Sequence, residues 1–162
     1  MLIRPYRKED VSRMRSIWNA VVEKADSFPQ DEIFSEEASV SFFAGQSYCA
    51  VAQVDDLVCG LYILHPNNVG HVSHIANASY AVDEAYRGRG VGKALVEDSL
   101  LQLASHHFSI LQFNAVVVSN TRAIRLYEQL GFTHLGTIKG GYAKVDGSFE
   151  DILSMVYYVN RR

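Results

Sequence analysis

Ser79-Tyr80-Ala81-Val82 is an apolar run, and Tyr86-Arg87-Gly88-Arg89-Gly90-Val91-Gly92-Lys93 follows it almost at once. Val91, Ala94, Leu95 and Leu101 then recur at helical spacing, so the stretch reads as strand, turn and helix. A turn of this kind leaves backbone N–H groups without partners at the positive end of a helix dipole. Its three alternating glycines let an anionic group approach them closely. The basic residues Arg87, Arg89 and Lys93 add charge of the right sign for a pyrophosphate. A phosphorylated cofactor is therefore expected here.

Two familiar phosphate loops are excluded by spacing. A Walker loop needs glycine five positions before Gly92-Lys93 and a hydroxyl after the lysine, but Arg87 and Ala94 occupy those places. A dinucleotide fingerprint starting at Gly88 needs glycine where Lys93 stands.

Working outward, Leu2 to Arg4 reads as a strand and Lys8 to Lys24 as a helix with Val11, Met14, Trp18, Val21 and Val22 on one face. A second helix is predicted from Ser35 to Gly45, with Glu36 and Glu37 suiting its first turn. Tyr48 to Val54 and Leu57 to Leu64 form a hairpin through Asp55-Asp56, and the chain returns in a strand from about Val72 to Val82. Beyond the glycine-opened helix, Ile110 to Val118 is a strongly apolar strand. Its helical connection to the preceding strand makes the two parallel neighbours. Thr121 to Leu130 is a further helix stopped by Gly131, and Phe132 to Ile138 and Phe149 to Val159 complete the sheet. The fold class is α/β: a three-layer α/β/α sandwich on a mixed, mostly antiparallel sheet.

The 162 residues suit a single domain over positions 1–162, and 48% hydrophobic content with net charge −3 describes a water-soluble globular chain. No apolar stretch is long enough to span a bilayer, and the first residues lack the apolar core of a secretion signal, so a cytoplasmic protein without a membrane partner is expected. The mild acidity argues against nucleic acid as a partner. Cys49 and Cys59 both sit in apolar runs and read as buried thiols. His71 and His74 fall on opposite faces of a strand, which speaks against a shared metal, and none is proposed.

The loop Arg87-Gly88-Arg89-Gly90-Val91-Gly92 resembles the Arg/Gln-x-x-Gly-x-Gly/Ala loop of the GNAT N-acetyltransferase family, which binds acetyl-CoA. A second stretch is similar to the family's Asn-x-x-Ala-x-x-x-Tyr-x-x-x-Gly-Phe string, at Asn120, Ala123, Tyr127, Gly131 and Phe132. With the opening Ile3-Arg4-Pro5, the resemblance covers nearly the whole chain.

The resemblance implies a wedge where the two parallel strands part, holding the cofactor's pantetheine arm as a pseudo-strand. Backbone groups of Ala81, Val82 and Asp83 would receive the arm, and Arg87, Gly88, Arg89, Gly90, Val91, Gly92 and Lys93 would cradle the pyrophosphate. Asn120 would fix the arm from the other wall, and a backbone N–H near Tyr80 to Val82, freed by a bulge, would stabilise the developing oxyanion. Tyr127 is the implied acid for the departing thiolate, although a helical aromatic also suits plain core packing beside Ile124 and Phe132. Asn120 likewise suits a helix N-cap. No general base is singled out among Glu23, Asp31, Glu32, His74 and Glu150.

The function implied is acetyl-CoA-dependent acetylation of a small-molecule or peptide amine. A coenzyme A-binding module without catalysis, and transfer of another acyl group or to a hydroxyl, stay open alternatives. The resemblance also allows a homodimer. In this fold the acceptor site is expected between the segment 25–35 and the hairpin 140–151, where Phe28, Asp31, Glu32, Phe34, Tyr142, Phe149 and Glu150 suit a cation.

Overall fold

The computed structural model describes residues 1–159, so positions 160–162 of the domain expected over 1–162 lie outside the described residues. Seven strands form one sheet in the order β1-β2-β3-β4-β5-β7-β6. In chain order these are β1 (Leu2–Pro5), β2 (Tyr48–Val54), β3 (Leu57–Pro66), β4 (Ile75–Val82), β5 (Ile110–Val117), β6 (Thr133–Ala143) and β7 (Phe149–Tyr158). The helices are α1 (Val11–Lys24), α2 (Glu36–Ala44), α3 (Val91–Gln102) and α4 (Thr121–Gln129). Only β4 and β5 run parallel; every other neighbouring pair is antiparallel.

The layers follow from the apolar periodicities. Val11, Met14, Ile17, Trp18, Val21 and Val22 give α1 one buried face, and α2 joins it through Phe43 to cover one side of the sheet. Leu95 and Val96 of α3, with Ile124 and Leu126 of α4, belong to the cluster on the other side. Three layers result, with α1 and α2 opposite α3 and α4.

Two strands, β4 and β6, depart most from their expected bounds. Gly70, at φ +63°, turns the chain and its carbonyl accepts from Ser73 N–H, so Val72 is spent in a 3-10 turn. Pairing with β3 resumes when Asn67 N–H bonds to the Ile75 carbonyl, and β4 starts there. β6 runs past Ile138 because its register against β7 breaks at Lys139-Gly140-Gly141 and is restored at Tyr142. Only glycine fits at Gly141, where a Cβ would lie 2.5 Å from Ile152.

Cys49 and Cys59 are both buried free thiols, and burial pushes the Cys49 pKa up to about 12.

One charged group is buried near the N-terminus. Arg4 donates two hydrogen bonds to Asp10, at 2.7 and 3.0 Å, and Arg7 N–H adds a third at 2.7 Å. The Arg4 hydrogen bonds hold the Asp10 carboxyl below its ordinary pKa. A carboxylate pKa lowered by folding stabilises at pH above the unfolded value, and that stabilisation is lost as pH falls through the lowered native value. Asp10→Asn is therefore expected to cost about 3 kcal/mol at neutral pH, and the gap to the parent should close in acid. Urea unfolding at neutral pH and near pH 3 checks this; a gap that does not change with pH would contradict it.

Candidate functional site

β4 and β5 pair at only two positions, Ile75 with Ile110 and Ala76 with Leu111. Beyond these β5 continues against β7 while β4 stays with β3, so the two parallel strands part toward their C-terminal ends. A cleft of about 850 Å³ opens between them. Its boundaries are β4, β5, the glycine loop, α4 and the segment 26–29.

Hydrogen-bond phase decides which backbone groups face the cleft. Asp83 N–H donates to the Cys59 carbonyl at 2.9 Å, so alternation along an antiparallel pair turns the main chain of Ala81 toward β3 and that of Tyr80 and Val82 into the cleft. Two expected contacts are thereby corrected. Asp83 has no free backbone group, because its carbonyl also accepts from Tyr86 N–H, and its carboxylate pairs with Arg13 and accepts from Ala85 N–H. Ala81 is spent on β3, and its side chain lies in the cluster beneath α1. The expected bulge is absent too: the β3–β4 register runs unbroken from Pro66 and Ala76 to Gly60 and Val82. Splaying, rather than a bulge, leaves the Tyr80 and Val82 main-chain groups without a strand partner.

The glycine loop ends at Gly90, the N-cap of α3, with φ +81°; Gly88 has φ +80°. No side chain caps this helix, and its first backbone bond runs from Ala94 N–H to the Gly90 carbonyl. The N–H groups of Val91, Gly92 and Lys93 are thus left for a ligand. The Val91 side chain is core, so only its N–H is on offer. Arg87, Gly88, Gly90, Val91, Gly92 and Lys93 line the cleft, with Lys93 Nζ 3.7 Å from Glu97. Arg89 does not line it, because its guanidinium sits over the Tyr86 ring at 5.1 Å from the centroid.

A cation that sequence reasoning did not single out approaches from the opposite wall. Arg122, in the first turn of α4, reaches to 3.8 Å from where a Gly88 Cβ would stand, and Arg125 also lines the cleft. The signal available was the pair of arginines three apart at the start of a helix, which share a face. Asn120 lines the cleft as well, and its Oδ1 caps α4 by accepting from Ala123 N–H at 3.3 Å. The cap leaves its Nδ2 free to donate.

Tyr127 combines packing with exposure to the cleft. Its ring lies 4.5 Å from Phe113 and 5.4 Å from Phe132, yet it lines the cleft, and its hydroxyl has no hydrogen-bond partner among the described residues. Burial raises its pKa, so the phenol stays protonated and is a proton donor rather than a base. Tyr80, expected to contribute only through its main chain, brings a second phenol to the cleft. Ser99 Oγ donates to the Val96 carbonyl at 2.7 Å, which leaves Tyr80 O–H to donate to Ser99 Oγ at 2.7 Å.

The opposite end is built differently from expectation. Asp26, Ser27, Phe28 and Pro29 line the cleft, while Asp31, Glu32 and Phe149 are exposed outside it. Phe34 is spent in the aromatic cluster, with its ring 6.1 Å from Trp18 and 4.5 Å from Phe42. Glu150 Oε1 accepts from Ser119 N–H at 2.7 Å and anchors the loop after β5. That bond lowers its pKa. Tyr142 O–H donates to the Phe28 carbonyl at 3.1 Å, strapping β6 to the 26–29 segment. Glu23 and His74 lie outside the cleft.

Comparison with known proteins places the fold in a family. The family model described as "Acetyltransferase (GNAT) family" matches residues 11–132. N-acetyltransferase aca1 of Schizosaccharomyces pombe is 27% identical over 152 residues, covering 82% of this chain and 72% of that protein. L-amino acid N-acetyltransferase AaaT of Escherichia coli is 30% identical over 112 residues, covering 68% of this chain and 65% of that protein. A GCN5-related N-acetyltransferase from Kribbella flavida superposes with TM-score 0.89 at 28% identity, over 98% of this chain and 97% of that one.

Proposed function

The chain belongs to the acetyltransferase (GNAT) family, and from that premise we propose that it moves an acetyl group from acetyl-CoA to a primary amine in the wedge between β4 and β5. The observation that carries the reading is the parting of these strands after two residue pairs, beside the uncapped N-terminus of α3.

The residues present fit the cosubstrate. Unpaired N–H groups of Val91, Gly92 and Lys93 suit a diphosphate, nothing but Val82 Cγ2, at 3.9 Å, stands near Gly92, and Arg87 and Arg122 supply charge from both walls. The free edge at Tyr80 and Val82 suits the amides of the pantetheine arm, and Asn120 Nδ2 faces it from beyond β5. When bound, acetyl-CoA supplies an activated thioester: the amine nitrogen gains the carbonyl carbon as the carbon–sulfur bond breaks, and one proton leaves nitrogen as another reaches sulfur.

This chain's part is to position and to move protons. A main-chain N–H at Tyr80 or Val82 can donate to the carbonyl oxygen as it gains charge. Tyr127 holds its proton at the cleft for the departing sulfur. Asp26 is the carboxylate lining the acceptor end, where it is ion-paired with Lys24 at 3.5 Å, and no general base is assigned. A coenzyme-binding module without turnover would share the cradle; the unpartnered Tyr127 hydroxyl favours an enzyme. Among the described residues no helix is long and apolar enough to cross a membrane. The cytoplasm is the compartment proposed, on the two buried reduced thiols.

Thiol release from acetyl-CoA with a panel of amino acids, amino acid amides, short peptides and polyamines tests the reading. Turnover with at least one class is expected. Coenzyme binding with no thiol release across the panel would favour the non-catalytic module.

A further inference from the structure

The wedge has a closed end, and a side chain closes it. The β4–β5 ladder stops at Ala76 with Leu111. One pair further, a parallel ladder would carry the Ala78 N–H to the Gln112 carbonyl. Asn77 Nδ2 holds that carbonyl instead, at 2.8 Å, and so spans the gap where the strands part. A carbonyl only accepts, which fixes the orientation of the Asn77 amide. Gln112 is held by its side chain too. Its Nε2 donates to Asn114 Oδ1 at 3.2 Å, and Asn114 is locked in a reciprocal pair with Asn67, at 3.2 and 2.7 Å. A bar of amide groups thus crosses from the β3–β4 connection to β5.

Asn77, Ala78, Phe113 and Asn114 line the cleft at this end. The Phe113 ring is spent in the core, 6.0 Å from the Tyr80 ring and 4.5 Å from that of Tyr127. Beyond the bar, the main chains of Ile75 and Ala76 pair with β5 and the sheet is continuous.

The direction of the cosubstrate follows from its two ends. The diphosphate cradle lies past Val82, at the N-terminus of α3, so an arm lying along the free edge of β4 enters at Val82 and runs back toward Ala78. Its thioester is the far end of the arm and comes to rest deepest. With the thioester oxygen on the Tyr80 N–H, the acyl chain points at the bridge between Asn77 and Gln112. Alternate residues of a strand lie about 6.6 Å apart. Non-bonded atoms keep about 3.5 to 4 Å between them, so roughly 3 Å remains. That is room for a methyl group and too little for a three-carbon tail. A longer tail must break the bridge and strip the Gln112 carbonyl of its donor.

We propose that Asn77 determines the acyl specificity: its bridge to Gln112 is the floor of the acyl site, which admits a two-carbon acyl group and excludes a four-carbon one. This rests on the acetyl-transfer reading above.

Acetyl-CoA and butyryl-CoA are the test pair, with free coenzyme A as the probe that carries no acyl group. With an amine that the protein turns over, the parent should give kcat/KM for butyryl-CoA at least about thirtyfold below that for acetyl-CoA. Calorimetry without amine, where no acyl group can move, should show butyryl-CoA binding at least about tenfold more weakly than acetyl-CoA. Asn77→Ala removes the bridge, and Asn77→Ser takes its place should the alanine variant fail to fold. Either should narrow both gaps to about threefold, while free coenzyme A binds parent and variant within about twofold. Butyryl-CoA used and bound by the parent as well as acetyl-CoA would overturn the inference while leaving acyl transfer standing. Gaps unchanged in a folded Asn77 variant would overturn the assignment to this residue. The calorimetric difference without thiol release from acetyl-CoA with any amine would support the floor and defeat acetyl transfer instead.

Discussion

Gly92→Glu should abolish coenzyme A binding, with affinity falling by at least on the order of a hundredfold, about 3 kcal/mol, while the protein stays folded. The structure favours this position over Gly90, which was equally eligible on sequence. Gly90 caps α3 at φ +81°, where any side chain is strained, so a lost ligand there would be confounded with a damaged loop. Gly92 has ordinary helical φ, and a Cβ there meets only Val82 Cγ2 at 3.9 Å. A glutamate at Gly92 would therefore fit the apo fold but place a carboxylate among the unpaired N–H groups that suit a diphosphate. Calorimetry together with a thermal melt separates the two outcomes. A folded variant with parental affinity would remove the α3 N-terminus from the binding account.

Tyr127→Phe should lower kcat by about a hundredfold with coenzyme affinity within twofold of the parent. The hydroxyl has no hydrogen-bond partner among the described residues, and the ring contacts with Phe113 and Phe132 survive in phenylalanine, so stability should hardly change. That combination distinguishes a proton donor from a packing residue: loss of packing would move the melting temperature, whereas loss of the donor lowers kcat and leaves it in place. Because burial raises the phenol pKa, the proton remains in place throughout the neutral range, and Tyr127 should add no titration to the rate profile there. Unchanged turnover in Tyr127→Phe would take the phenol out of the chemistry.

The features legible in the chain were those encoded locally. The α1 face from Val11 to Val22, the Asp55-Asp56 turn with both residues at positive φ, and the glycine-opened α3 all follow from spacing and turn chemistry. The parallel pairing of β4 and β5 followed from the helical connection between them. What stayed hidden depends on register and on contacts between distant segments. Which of Tyr80, Ala81, Val82 and Asp83 faces the wedge is fixed by a bond from Asp83 to Cys59, and no local pattern carries that phase. Arg122 meets the glycine loop only because α4 packs across the parted strands, and Arg89 leaves the cleft because Tyr86 offers its ring. At the acceptor end, charge alone points to Asp31 and Glu32, but Phe34 anchors the segment after them to Trp18, and 26–29 lines the cleft instead.

The central claim is that main-chain amides of two separate elements, the free edge of β4 and the first turn of α3, hold the coenzyme. Amide hydrogen exchange with and without coenzyme A measures those groups one by one. The account predicts slowed exchange at Tyr80, Val82, Gly92 and Lys93, with Ala81 and Asp83 unaffected because their N–H groups already bond to β3. Saturating coenzyme A that leaves Tyr80, Val82, Gly92 and Lys93 exchanging at their free rates would contradict it.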